Sequence, residues 1–148
     1  MKIRTSIIAA GAAVVLGTTG ALVVPAVASA NSATHTLKFI SVTKKVVSFN
    51  KARTQIGMQD TDINAAGKTV GFDMIYVKVI SATNGPANAT VDTSGGMLYG
   101  TFTFNLKAGT ISNGKVTGGT GAFKGATGTI TAKGISKTEA AVTITYSG

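Results

Sequence analysis

Acidic side chains are scarce in this sequence, which makes each one a candidate for chemistry. Among 148 residues only five are Asp or Glu, against fourteen Lys and Arg. Asp73 stands in the most apolar run of the chain, "VGFDMIYVKVI", beside Phe72, Met74 and Ile75. A carboxylate buried there without a partner is costly, and its proton affinity rises. Two readings stay open: a Lys or Tyr pairs with Asp73, or it is a working acid or base. Asp60 and Asp62 are alternate residues of "QIGMQDTDI". Alternate residues of an extended segment share a face, so the two carboxylates could meet one ligand or hold calcium weakly. A polar loop is the plainer reading.

Other chemistries are excluded by inventory. His35 is the only histidine, and it is expected in a frayed terminus. A Ser-His-Asp triad or a zinc site does not fit that inventory. Cysteine is absent, so neither a thiol nucleophile nor a disulfide is available. "GTISNGK", Gly109 to Lys115, matches the spacing of a phosphate loop, but Val116 follows where Ser or Thr would hold magnesium. "DINAAGKT" ends correctly yet begins with Asp62 instead of glycine. Strand-like sequence follows both, whereas a phosphate loop needs a helix whose N-terminus faces the anion. No nucleotide, metal or other cofactor is expected.

The elements that must position these groups are strands. In "LYGTFTFNL" Leu98, Phe102, Phe104 and Leu106 share one face, and Tyr99, Thr101, Thr103 and Asn105 the other. Ala140, Val142, Ile144 and Tyr146 alternate with threonines near the C-terminus. In the first strand Leu37 and Phe39 oppose Ile40 and Val42, and the phase breaks at Lys44–Lys45, which predicts a bulge. The run holding Asp73 is apolar on both faces: Val70, Phe72, Met74, Tyr76 and Ile80 against Ile75, Val77 and Val79. In a single-layer sheet such a strand needs a cover on its outer side, and a second subunit is the simplest one. Turn signals fall every 8–12 residues or so, as in antiparallel barrels. Eight strands are predicted, over 36–49, 53–59, 70–80, 87–93, 97–106, 109–116, 122–135 and 139–147. That number closes into a barrel able to hold side chains or one small ligand.

The first thirty residues read differently. Lys2 and Arg4 precede an apolar run from Ile7 to Val24, and "AVASA" ends at Ala30. This is the pattern of a cleaved signal peptide, so residues 31–148 are expected to be a secreted, extracellular domain. That domain would keep a net charge of +7 after Lys2 and Arg4 leave the whole chain's +9. The excess suits anionic surfaces such as cell-wall polymers or lipid headgroups. The lysines are scattered singly, which argues for solubility and strand-edge protection and against nucleic acid.

Residues 116–131 contain Gly118, Gly119, Gly121, Phe123, Gly125, Ala126 and Gly128, in the order Gly-Gly-x-Gly-x-Phe-x-Gly-Ala-x-Gly. With "QIGMQDTDI", "VGFDMIYVKV" and "GGMLYGTFTF" in sequence, the chain resembles the dirigent and allene oxide cyclase barrel superfamily over residues 36–147. The resemblance implies an all-β, eight-stranded antiparallel barrel, a homotrimer, an apolar lumen and no cofactor. It implies a hydrophobic small molecule as ligand, with activity of an isomerase or cyclase kind, or guidance of a coupling. Dirigent proteins place an acidic pair near the barrel mouth, which carries over to Asp60 and Asp62. Where they commonly have Arg after Gly-Ala, this chain has Thr127, which argues against their radical coupling. Asp60, Asp62 and Asp73 are the expected acid groups and Tyr76 and Tyr99 the expected hydrogen-bond donors, with Phe72, Phe102 and Phe104 as lumen walls. A carrier that leaves its ligand unchanged, and a surface protein with a filled core, are the alternatives.

Overall fold

Period-two alternation recurs in most strand-like segments, so most strands offer an apolar face, and closing the sheet buries these faces together. The structure, a computed structural model, describes residues 33–81 and 83–148. The signal peptide expected at residues 1–30 lies outside the described residues. Eight strands follow in order: β1 (His35–Ser48), β2 (Gln55–Ile63), β3 (Thr69–Lys78), β4 (Asn84–Thr93), β5 (Gly96–Asn105), β6 (Thr110–Gly119), β7 (Thr127–Gly134) and β8 (Glu139–Ser147). Each pairs antiparallel with the next, and β8 pairs with β1, which closes the barrel. Short connections therefore gather at two ends. The β1–β2, β3–β4, β5–β6 and β7–β8 loops share one end, and the β2–β3, β4–β5 and β6–β7 loops the other.

Several boundaries depart from expectation. His35 is not frayed: it begins β1, pairs with Tyr146, and stacks on that ring at 5.4 Å. The polar reading of "QDTDI" is overturned, because β2 continues through Ile63. The last glycines do not continue a strand from residue 122; a 3-10 turn occupies Gly121–Phe123 and β7 starts at Thr127. The bulge is where the phase broke. The β1–β2 register shifts between Thr43 and Lys45, so Phe39, Ser41 and Thr43 face inward before it and Val46 after it.

The lumen is filled at one end and open at the other. Phe39, Val91, Leu98, Val116, Phe123, Ala126, Ile130 and Ile144 form a cluster at the end of the β6–β7 loop. Its stopper is Phe123, buried and edge-on to Tyr146 at 5.4 Å. The glycine motif exists to seat this ring. A Cβ on Gly119 would stand 2.5 Å from both the Cβ of Phe123 and the carbonyl oxygen of Met97, and Gly121 takes a φ of +58° to turn the chain. Both requirements are met only without a side chain. A second cluster of Met58, Val77, Ala87, Ala89 and Phe102 lines the wall toward the open end.

Candidate functional site

The strand register brings the three aspartates together. Asp60 on β2 is directly opposite Asp73 on β3, and Asp62 is opposite Gly71 on β3 and Ser41 on β1. All three face the interior, and Asp62 is only 1 % exposed. Gly71 leaves the room: a Cβ there would sit 3.4 Å from an Asp62 oxygen and 2.5 Å from the backbone oxygen of Asp92. The Ser41 hydroxyl lies 2.9 Å from Oδ2 of Asp60 and 2.9 Å from Oδ2 of Asp73. Oδ1 of Asp60, Oδ1 of Asp73 and both oxygens of Asp62 are buried without a hydrogen-bond partner.

That geometry requires protons. Ser41 has one hydroxyl hydrogen and cannot donate fully to two carboxylates. One of the two contacts is satisfied when a carboxyl group donates to the serine oxygen instead. Burial raises the proton affinity of all three groups. Desolvation pushes Asp62 up to about 9, assisted by the charges of Asp73 and Asp60. It pushes Asp73 up to about 6, assisted by the charge of Asp60, while contacts with Asp62 and Ser41 hold it down. Asp60 is raised by desolvation against the pull of hydrogen bonds from Ser41 and Thr43. No basic side chain is among these influences. At neutral pH Asp62 therefore keeps its proton, and Asp73 titrates just below neutrality. Of the two readings of Asp73, pairing with a Lys or Tyr is ruled out by the partners it has.

A cavity of about 260 Å³ opens beside them. Asp60, Asp73, Ser41 and Thr43 stand on one side, facing Phe102, Phe104, Ile111, Ile130 and Val142. Lys137 and Thr138 of the β7–β8 connection and Glu139 at the start of β8 edge the mouth. Phe39 and Val91 line both this cavity and a second one of about 390 Å³, where Asp62 stands with Leu37, Val70 and Phe123. Two of the three aspartates thus reach the cavity, and the third supports them from behind.

The tyrosines do not join the site. Tyr76 is three residues from Asp73 and Tyr99 one residue from Leu98, so both stand on the outer face, where they are exposed. Phe72 is outside for the same reason, whereas Phe102 and Phe104 line the cavity as expected. Ser41 went unnoticed in the sequence. Its only signal is that it continues the inward phase of Phe39, two residues earlier.

The molecule is thus a closed, up-and-down barrel with an acidic site in an apolar lumen. No family model matches the chain, and no curated protein does. Solved structures do. A pyocyanin demethylase superposes with a TM-score of 0.62 at 18% identity, covering 76% of this chain and 100% of the other. A pterocarpan synthase dirigent protein superposes with a TM-score of 0.58 at 21% identity, covering 78% and 88%. The chain has the fold of the dirigent and allene oxide cyclase barrels, as its glycine motif led us to expect.

Proposed function

We propose that this barrel is an exported protein that takes a lipophilic small molecule into its lumen and steers its cyclisation or stereoselective coupling without a cofactor. The observation that carries the reading is a buried pair of carboxyl groups, Asp60 and Asp73, bridged by the Ser41 hydroxyl, on one side of an otherwise apolar cavity. Such a cavity orients an apolar ligand, and orientation alone supplies much of the acceleration of an intramolecular reaction. Asp73 and Asp60 touch the ligand. An isomerising cyclisation consumes no net proton, so a proton given by Asp73 to a ligand oxygen is matched by one that Asp60 takes up. Ser41 bridges the two oxygens. Asp62 is a positioning residue: neutral at pH 7, it keeps total charge low enough for its neighbours to share a proton. An ionised carboxylate in this low-dielectric site also stabilises positive charge developing on the ligand.

The test is native mass spectrometry of the protein from its producing cells, followed by incubation of the released ligand's precursor. Asp73→Asn is expected to retain the adduct and lose conversion by about 10²-fold or more, the usual worth of a positioned acid. Retention without conversion in the parent protein would make it a carrier. An empty barrel in every preparation would remove the reading.

The oligomer belongs to the same reading. Val70, Phe72, Met74 and Tyr76 of β3 and Met97 and Tyr99 of β5 are exposed on the outer wall, and a patch of this kind calls for a cover. A homotrimer is expected in sedimentation equilibrium, and the pair Phe72→Lys and Met74→Lys is expected to run as a monomer. A monomeric parent at micromolar concentration would contradict it.

A further inference from the structure

The two ends of the barrel differ in a way that the lumen does not require. At the closed end the loops are small and polar: "NAAGK" between β2 and β3, Ser94 and Gly95 between β4 and β5, and a turn whose one large apolar residue, Phe123, is buried. At the open end three of the four loops carry a large aliphatic or aromatic side chain into solvent. Ile80 after β3 is 71% exposed, Phe49 after β1 is 60% exposed, and Ile135 after β7 is 55% exposed. Phe49 lies against Tyr76 at the outer edge of the rim, with ring centroids 5.9 Å apart. Isoleucine at an exposed loop tip has no folding role, and two of them together with Phe49 around one mouth form a pattern that single surface residues do not.

The charges at that end match. Lys51 and Arg53 flank the β1–β2 turn, Lys78 ends β3, Lys107 follows β5 and Lys137 precedes β8, all exposed. The one acidic residue near this mouth is Glu139, which hydrogen bonds to Ser136 at 3.4 Å. Apolar tips ringed by cations are the chemistry of a surface that sits in a headgroup layer, where each neighbouring Lys or Arg meets anionic lipid and each buried methylene adds affinity.

We propose that the open end of the barrel docks on an anionic lipid bilayer, with Ile80 and Ile135 entering the interface and the ring of lysines and Arg53 meeting lipid phosphates. The cavity mouth then faces the bilayer directly, so an apolar ligand passes between lipid and lumen without crossing water. The docking itself rests on the rim alone and stands whatever the lumen holds.

Residues 31–148 contain all eight strands, both core clusters and the closure between β1 and β8, and are the protein to use. It is mixed with vesicles of phosphatidylcholine, with and without phosphatidylglycerol, and sedimented. Partition onto the phosphatidylglycerol vesicles is expected, with little onto phosphatidylcholine alone. The pair Lys51→Gln and Lys107→Gln is expected to lower the partition coefficient roughly 25-fold, about fivefold per charge. The pair Ile80→Ser and Ile135→Ser is expected to lower it at least about tenfold. Lys68→Gln with Lys124→Gln, at the closed end, is expected to leave it unchanged. A ten-residue strand separates the ends by about 30 Å, several screening lengths. The chain has no tryptophan, so Ile135→Trp gives a single reporter whose emission is expected to shift blue on anionic vesicles. Absence of partition would overturn the proposal. So would equal loss with the closed-end pair, which would mean general adhesion of a basic protein. Binding to a soluble glycerol-phosphate polymer with the isoleucine variants unaffected would overturn it too, by assigning the rim to the cell wall. Self-association through the rim without vesicle binding would assign it to a second copy.

Discussion

Raising the pH from about 4 to about 9 is expected to destabilise this barrel steadily, the reverse of ordinary acid denaturation. In the unfolded chain all three aspartates lose their protons near 3.8, whereas in the barrel Asp73 holds its own to about 6 and Asp62 to about 9. Between those limits the folded state binds more protons, so stability falls as pH rises. The contribution is complete below 3.8. That of Asp73 is lost by about 6, and that of Asp62 continues to fall up to about 9. Each group changes stability by at most about 1.4 kcal/mol per pH unit, and each kcal/mol moves the melting temperature by about 4 °C. The decisive comparison is Asp62→Asn. An amide has nearly the shape of the acid and is neutral at every pH, so it keeps the acid's contacts and removes its titration. Melting curves by circular dichroism are expected to coincide below about pH 4 and to diverge progressively from there up to about 9, with the variant the more stable. A parent protein whose melting temperature climbs from pH 4 to 8, or parallel curves for the two proteins, would mean that Asp62 is not held neutral.

Phe123→Ala is the largest single packing loss expected. The ring is buried among Leu98, Val116, Ala126 and Tyr146 and closes one end of the lumen. Truncating a buried phenylalanine costs about 3–5 kcal/mol, because a cavity remains where the ring was. The melting temperature is expected to fall by more than about 10 °C. Phe72→Ala serves as its opposite. Phe72 stands on the outer wall, and in the isolated barrel its loss is expected to stay within about 0.5 kcal/mol. Equal losses at the two positions would contradict the assignment of faces. Gly119→Ala is expected to disturb the seat of Phe123, since its Cβ would stand 2.5 Å from both the Phe123 Cβ and the Met97 carbonyl oxygen.

Much of the site was legible from parity alone. Asp73, Ile75 and Val77 fall on one face of β3 and Phe72, Met74 and Tyr76 on the other. Tyr76 could therefore never have shared a lumen with Asp73, and the same count separates Tyr99 from Leu98 and Phe102. The bulge at Lys44–Lys45 was visible because a strand keeps its phase until an extra residue breaks it. Asp60 and Asp62 were harder. Their polar surroundings suggest a loop, and only a barrel, which offers an inside to hydrophilic segments as well, keeps them in a strand.

The sequence by itself determined the strand count, the division of most strands into two faces, the glycine turn and the scarcity of acids, because these are local: alternation, turn chemistry and composition act over a few residues. Only the tertiary structure decided that Asp60 meets Asp73, that Ser41 stands between them, and that one end is stopped by Phe123 while the other gathers Ile80, Ile135 and the lysines. Those pairings join residues tens of positions apart, and they follow from strand register and barrel closure. A one-residue slip in register would have turned every one of these side chains to the opposite face.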